Sequence, residues 1–155
     1  MKKRSLIIPV IILLFAFLGL QVLNAMSKPQ SELGVTAGQL AKCPDKPNCV
    51  SSQATGEHSI EPLAFDGDAA SAWATLKAVV EGFPRTTAVT EEADYMHYEF
   101  RTAIMRYVDD VEFLLDEEQS VIHVRSASRI GYSDLGANRK RVEQLRQAFA
   151  AKLAG

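Results

Sequence analysis

Three segments follow one another along the chain: Tyr95-Met-His-Tyr-Glu-Phe-Arg101, Met105-Arg-Tyr-Val-Asp-Asp-Val-Glu-Phe-Leu-Leu115 and Val121-Ile-His-Val-Arg-Ser-Ala-Ser128. Apolar side chains recur at every second position. They are Met96, Tyr98 and Phe100, then Met105, Tyr107, Val111, Phe113 and Leu115, then Ile122 and Val124. A period of two marks a strand with one buried face. Asp116-Glu117-Glu118-Gln119 reads as the turn between the last two strands, and strands joined by short turns pair antiparallel. The intervening positions carry His97, Glu99, Arg101, Arg106, Asp110, Glu112, His123, Arg125 and Arg129. Each strand therefore has an apolar face and a charged one.

Outward from this core the pattern changes period. The strand through Tyr95 extends back to Arg85, with an internal turn near Glu91-Glu92-Ala93-Asp94. Before it, Ala69, Ala72, Trp73, Leu76, Val79 and Val80 recur at three and four, which predicts a helix capped by Asp68 and ended by Gly82 and Pro84. Ser59–Phe65 reads as a short strand, with Pro62 placing it at a sheet edge. A last helix is expected from Asn138 to Leu153, Asn138 acting as its cap. The economical arrangement is α+β: a two-layer sandwich, one antiparallel sheet with both helices packed on the same face.

The N-terminal end is of another kind. Met1-Lys2-Lys3-Arg4 is basic, and Leu6–Leu23 then contains no charged residue. Such a run is at the short end of the roughly 17–25 residues that span a bilayer. We read residues 1–25 as a transmembrane anchor, with the basic start held inside and the rest facing the periplasm or exterior. The alternative is a cleaved secretory signal, for which Leu23-Asn24-Ala25 is a poor cleavage site. Residues 26–42 mix Ser, Gly, Pro and charge without periodicity and read as a linker, leaving 43–155 as a single globular domain. The chain carries −2 overall, but beyond Arg4 there are 14 bases against 19 acids, an outward part of −5. That balance argues against general nucleic-acid binding.

Cys43 and Cys49 are the only cysteines, in a chain expected in an oxidising compartment, so a disulfide is the leading reading. Two thiols with only His58 nearby do not make a zinc site, and no metal or cofactor is expected. Five intervening residues with two prolines do not match a redox pair. Closing so short a loop stabilises by roughly 2 kcal/mol.

Candidate binding residues fall in two motifs. Asp109, Asp110 and Glu112 sit on one strand; Arg125, Ser126, Ser128 and Arg129 sit on or just beyond the next. The plainer reading pairs opposite charges across strands, worth ~0.2–1 kcal/mol per pair. Asp109 falls on the apolar face, where an unpaired carboxylate is costly, so it should find Arg, Ser or backbone N–H donors. Asn138, Arg139 and Arg141 open the last helix with positive charge against its dipole. Bases and free N–H groups there suit an anion, which could equally be an acid of the chain itself, such as Asp134, Asp110 or Glu143.

Cys43-Pro-Asp-Lys-Pro-Asn-Cys-Val-Ser-Ser52, Asp94-Tyr95, Tyr107-Val-Asp-Asp-Val-Glu-Phe113 and Arg125-Ser-Ala-Ser-Arg-Ile-Gly-Tyr-Ser-Asp-Leu-Gly-Ala-Asn-Arg-Lys-Arg141 together resemble the motifs of the domain-of-unknown-function family numbered 1499. The likeness runs over about residues 40–152, in the same order. It implies that these motifs mark a shared surface and brings no activity with it.

Two functional classes stay open. One is a membrane-tethered binding domain that holds an anionic small ligand or a partner protein through the mixed-charge surface. The other is a hydrolase, with Asp109, Asp110 and Glu112 as acid–base groups and Arg125 and Arg129 clamping substrate. No Gly-x-Ser-x-Gly turn, paired-His metal motif or Gly-rich phosphate loop supports the enzyme. His123 and Ser126 lie three apart on a strand and point to opposite faces. Acids lying free in a pocket would favour the enzyme; acids clamped by arginines would favour binding or structure.

Overall fold

A computed structural model describes residues 4–155, and within the first helix the side chains of 8–24. Lys2 and Lys3, to which the sequence assigns the basic start, lie outside the described residues. The elements run α1 (Arg4–Met26), β1 (Val35–Thr36), β2 (Gln39–Leu40), β3 (Cys49–Ser51), β4 (Leu63–Ala64), α2 (Ala69–Glu81), β5 (Thr86–Glu91), β6 (Tyr95–Arg101), β7 (Val108–Asp116), β8 (Val121–Ser128) and α3 (Ala137–Ala154). The fold is α+β with antiparallel sheets and three helices.

The main sheet has the order β3-β8-β7-β6-β5, and β4 pairs with β8 beyond the end of β3. Register follows the alternation. Tyr98 lies opposite Val111, and Val111 opposite Ser126; Glu99 lies opposite Asp110, and Asp110 opposite Ala127. The apolar face, with Met96, Tyr98, Phe100, Val111, Phe113, Ile122 and Val124, meets Leu76 and Val80 of α2 and Val142, Leu145 and Phe149 of α3 in one buried cluster. Both helices thus cover the same face. Asp68 caps α2 as its position foretells, its carboxylate accepting from the Ser71 N–H at 2.8 Å.

Some boundaries differ from expectation for local reasons. The second of the three alternating strands begins at Val108 rather than Met105. Thr102 closes the turn before it: its N–H donates to the Tyr107 carbonyl, and its Oγ1 accepts from the Tyr107 N–H. Arg106 stands in that turn at φ 59°, off the sheet's charged face. The expected strand Ser59–Phe65 shrinks to Leu63–Ala64. Pro62 has no N–H to give a ladder.

The face away from the helices is not open. Residues 27–42 cross it as a strap. The Ser27 carbonyl accepts from Arg129, the Gln30 amide donates to the Ser128 and Arg129 carbonyls, Ser31 Oγ accepts from Arg125, and the Gly34 N–H donates to Glu112. Ala37 (φ 51°) and Gly38 (φ 75°) turn the β1–β2 hairpin. That hairpin drops Leu40 onto Tyr95 and Leu114 in a second small apolar cluster. A segment whose composition reads as a tether is therefore a second cover for the sheet.

Candidate functional site

Alternation divides the seven candidate residues on or just beyond β7 and β8 between two faces. On the strap side, Glu112 and Arg125 are opposite in register, 0% and 1% exposed, with Arg125 Nη1 donating to Glu112 Oε2 at 2.8 Å. The other oxygen of Glu112 accepts from Tyr95 OH at 2.9 Å and from the Gly34 N–H at 2.8 Å. Burial beside this carboxylate pushes the Tyr95 phenol far above its ordinary range. Arg125 Nη2 donates to Ser31, while Arg125 Nε is buried with no acceptor among the described residues.

Asp110 forms the next layer of the same face. It accepts from Arg129 through both oxygens, at 2.9 and 2.8 Å, and His97 Nε2 lies 2.8 Å from Oδ1. Burial pushes the Asp110 carboxyl up, but hydrogen bonds from His97 and Arg129 outweigh it and hold the group below its ordinary value. Arg129 also donates to Glu99, which accepts from Arg101. These bonds to Asp110 lead the causes that raise the Arg129 guanidinium above its usual range.

On the helix side, Asp109 is 3% exposed and engages Arg141 through Oδ2. That is the donor its place on an apolar face demands. The Arg141 guanidinium carbon also lies 5.2 Å from the Phe100 ring centroid, in cation–π range. Asn138 is the hub of this cluster and not the cap of α3, correcting the expectation. It is fully buried. Its Oδ1 accepts from Ser126 and Arg141, and its amide nitrogen donates among the Asn48 carbonyl, Ser128 Oγ and Asp134. The N-cap is Gly136 at φ 81°, a conformation glycine adopts without strain. Asp134 supplies the missing acceptor, its carboxylate taking the Asn138 and Gly136 N–H groups at 2.7 and 2.9 Å. The anion at the start of α3 is thus an acid of the chain itself. Arg139 faces away and donates to the Glu57 carbonyl.

The Asp109 side opens to solvent. A cleft of about 310 Å³ is lined by Thr102, Tyr107, Asp109, Ser128, Ile130 and Leu135, among others. Asp109 Oδ1 meets no donor among the described residues. This is the one place where a candidate carboxylate keeps an unengaged oxygen at a cavity.

A serine–histidine–aspartate line also exists. Ser52 Oγ lies 3.2 Å from His123 Nδ1, and His123 Nε2 lies 3.6 Å from Asp116 Oδ2. Its geometry is structural. Ser52 Oγ already accepts the Val124 N–H at 2.9 Å, which ties the hydroxyl to the backbone of β8. Nor does Ser52 or His123 line any of the five clefts described.

Cys43 and Cys49 are disulfide-bonded, with Cα atoms 5.6 Å apart. The bridge fixes the loop that presents Asn48. The Asn48 carbonyl takes both the Ser128 N–H and the Asn138 amide, tying β8 to α3. His58 points at the Cys49 carbonyl at 2.9 Å, so its ring serves the backbone.

A family described as Protein of unknown function (DUF1499) matches residues 39–149. The chain belongs to that family. The DUF1499 match takes in β2, the disulfide loop, the whole main sheet, α2 and most of α3, and leaves α1 and the first part of the strap outside. Both charge motifs thus fall within the family's own span. No curated protein matches the chain.

Sequence reasoning did not single out Asn48, Tyr95, Ser31 or Gly34, each of which completes a buried bond. Asn48 and Tyr95 stand inside motifs, where spacing alone reads them as turn and core. Ser31 and Gly34 lie in a stretch without periodicity, which carries no signal of what it packs against.

Proposed function

We propose that this chain is a membrane-anchored domain that works by recognition, with α1 as its anchor and the Asp109 cleft as its binding place. Among the described residues no helix is long and apolar enough to cross a membrane, and the described side chains of α1 are those of 8–24 alone. The anchor reading rests on the whole of α1. Its 23 residues span roughly 34 Å at 1.5 Å per residue, against about 30 Å of bilayer hydrocarbon. Ile8, Leu13, Phe15 and Leu23 are each at least 65% exposed along it. Apolar exposure on that scale asks for a lipid neighbour. With the basic start inside, the domain stands on the outer side.

The observation that carries recognition over hydrolysis is the clamping of the acids. Asp110 and Glu112 are buried and held by Arg129 and Arg125, so neither is placed to exchange protons with a substrate. Of these three acids, Asp109 alone offers an unengaged oxygen at a cleft, flanked by Ser128 and by apolar Ile130 and Leu135. A free anion suits that lining poorly. An amphipathic ligand presenting a hydrogen-bond donor to Asp109 and an apolar body to Ile130 and Leu135 suits it well.

Two experiments test this. Alkaline extraction of membranes should leave the full chain in the pellet; release to the supernatant would remove the anchor. Native mass spectrometry of the gently solubilised full chain should find a bound small molecule. Ala137→Trp, at the exposed cleft wall, should displace it. A wild-type chain without adduct, or an adduct indifferent to Ala137→Trp, would refute the cleft.

A further inference from the structure

We propose that the loops 102–107 and 129–136 form a second membrane contact, resting on the lipid surface beside α1. This rests on the anchor reading above.

Both loops lie at one end of the sheet. Loop 102–107 joins β6 to β7, and loop 129–136 leaves the end of β8, where Asp109 and Ser128 are paired. They border the same cleft. The end of α1 meets them directly. Gln21 Nε2 donates to the Ile104 carbonyl at 3.4 Å, and Asn24, 1% exposed, donates to the Met105 carbonyl. Just after the helix, the Ser27 carbonyl accepts from Arg129 at the root of the second loop. The loops are thus fastened to the point where α1 would leave the bilayer.

Their side chains are unusual for a surface facing water. Ile104 is 74% exposed, Tyr132 71% and Leu135 96%. Leu135 and Arg106 also hold φ of 54° and 59°, a left-handed conformation that non-glycine residues seldom adopt. A bulky leucine held there and turned wholly outward satisfies nothing within the fold. Apolar tips, a tyrosine and an arginine together are the composition of membrane-interface segments. Continuity with the apolar surface of α1 names the occupant as lipid rather than a soluble partner. The Asp109 cleft between the loops would then open at the lipid surface, where an amphipathic ligand is concentrated.

The test uses the full, disulfide-bonded chain in nanodiscs of phosphatidylethanolamine and phosphatidylglycerol. Single labels sensitive to polarity are placed at Ile104→Cys, Leu135→Cys, Glu118→Cys and Phe15→Cys, with nitroxide-bearing lipids as quencher. Glu118 is exposed in the turn at the opposite end of the sheet. Labels at 104 and 135 should lose most of their emission and shift to the blue, as the label at 15 does, while 118 is unchanged. Labels at 104 and 135 behaving like 118, with 15 quenched, would overturn the contact and leave the anchor standing. An unquenched label at 15 would overturn both.

Discussion

The Arg125 guanidinium and the Glu112 carboxylate meet at 2.8 Å in a place that water does not reach, beneath a strap formed by residues 27–42. Two charges taken out of water cost several kcal/mol each, and their attraction repays this only when further bonds complete them. Here Tyr95, Ser31 and the Gly34 N–H do so. The pair therefore joins the sheet to the segment that leads from α1, and through it the domain is held against that helix.

Removing one partner should be expensive. Arg125→Met leaves Glu112 buried with Tyr95 and Gly34 alone, and unfolding by denaturant should show a loss of about 3–5 kcal/mol. The double change Glu112→Leu with Arg125→Met should cost less than the sum of the two single changes. Cleavage by a glutamyl endoprotease at exposed Glu32 should quicken in the single variant, because the strap loses its grip. A cost below about 1 kcal/mol, the range of an exposed pair, would show that the network is not buried in solution.

Asp110 makes stability depend on pH in a stated direction. Its carboxyl titrates below the ordinary value of about 3.9, so between the two values the native state holds less proton than the unfolded chain. The stabilisation is complete above the ordinary value and is lost as pH falls through the lower one. Melting temperatures measured downward from about pH 5 should fall less steeply for Asp110→Asn than for the wild type. Parallel curves would mean that Asp110 is not held by His97 and Arg129.

The strand alternation made most of this legible. Period two placed Asp110, Glu112, Arg125 and Arg129 on one face and stranded Asp109 on the other; register then set Glu112 opposite Arg125, Arg129 just beyond β8 reached Asp110, and Arg141 of α3 reached Asp109. What periodicity cannot express is cover. Gly34 and Ser31 act through a backbone N–H and a hydroxyl in an aperiodic stretch, so nothing in their spacing reveals the face they close. Asn138 misled for a related reason. An asparagine before a helical pattern has the chemistry of a cap, and the nearby Gly136 at φ 81° and the Asp134 carboxylate do that work instead.

The disulfide gives a further expectation. Cys43 and Cys49 should resist thiol labelling in the unfolded, unreduced chain and accept it after reduction. Cys43→Ala with Cys49→Ala should cost about 2 kcal/mol, the loop closed being short. Part of that loss should be felt at Asn48, so amide exchange of Ser128, whose N–H donates to the Asn48 carbonyl, should quicken. Labelling of both thiols before reduction would show that the bond does not form.

Asn138 and Arg139 stand side by side and should respond in opposite ways. Asn138 is fully buried and serves Ser126, Ser128, Asp134, Arg141 and the Asn48 carbonyl. Asn138→Ala strips partners from several buried groups at once, each worth about 1–3 kcal/mol when left unpaired, and should be among the most damaging single changes in the domain. Arg139 is exposed and makes one bond to the Glu57 carbonyl, so Arg139→Ala should stay within about 0.5 kcal/mol of the wild type. Denaturant melts of the two variants under one condition decide the matter. Were Asn138 a simple cap, its loss would cost about 1 kcal/mol, and Asn138→Ser, which also caps, would restore it. The hub instead requires an amide that both accepts and donates, so Asn138→Ser should remain nearly as damaged as Asn138→Ala. A full rescue by serine would return Asn138 to the helix end and take the Asp109–Arg141 cluster apart with it.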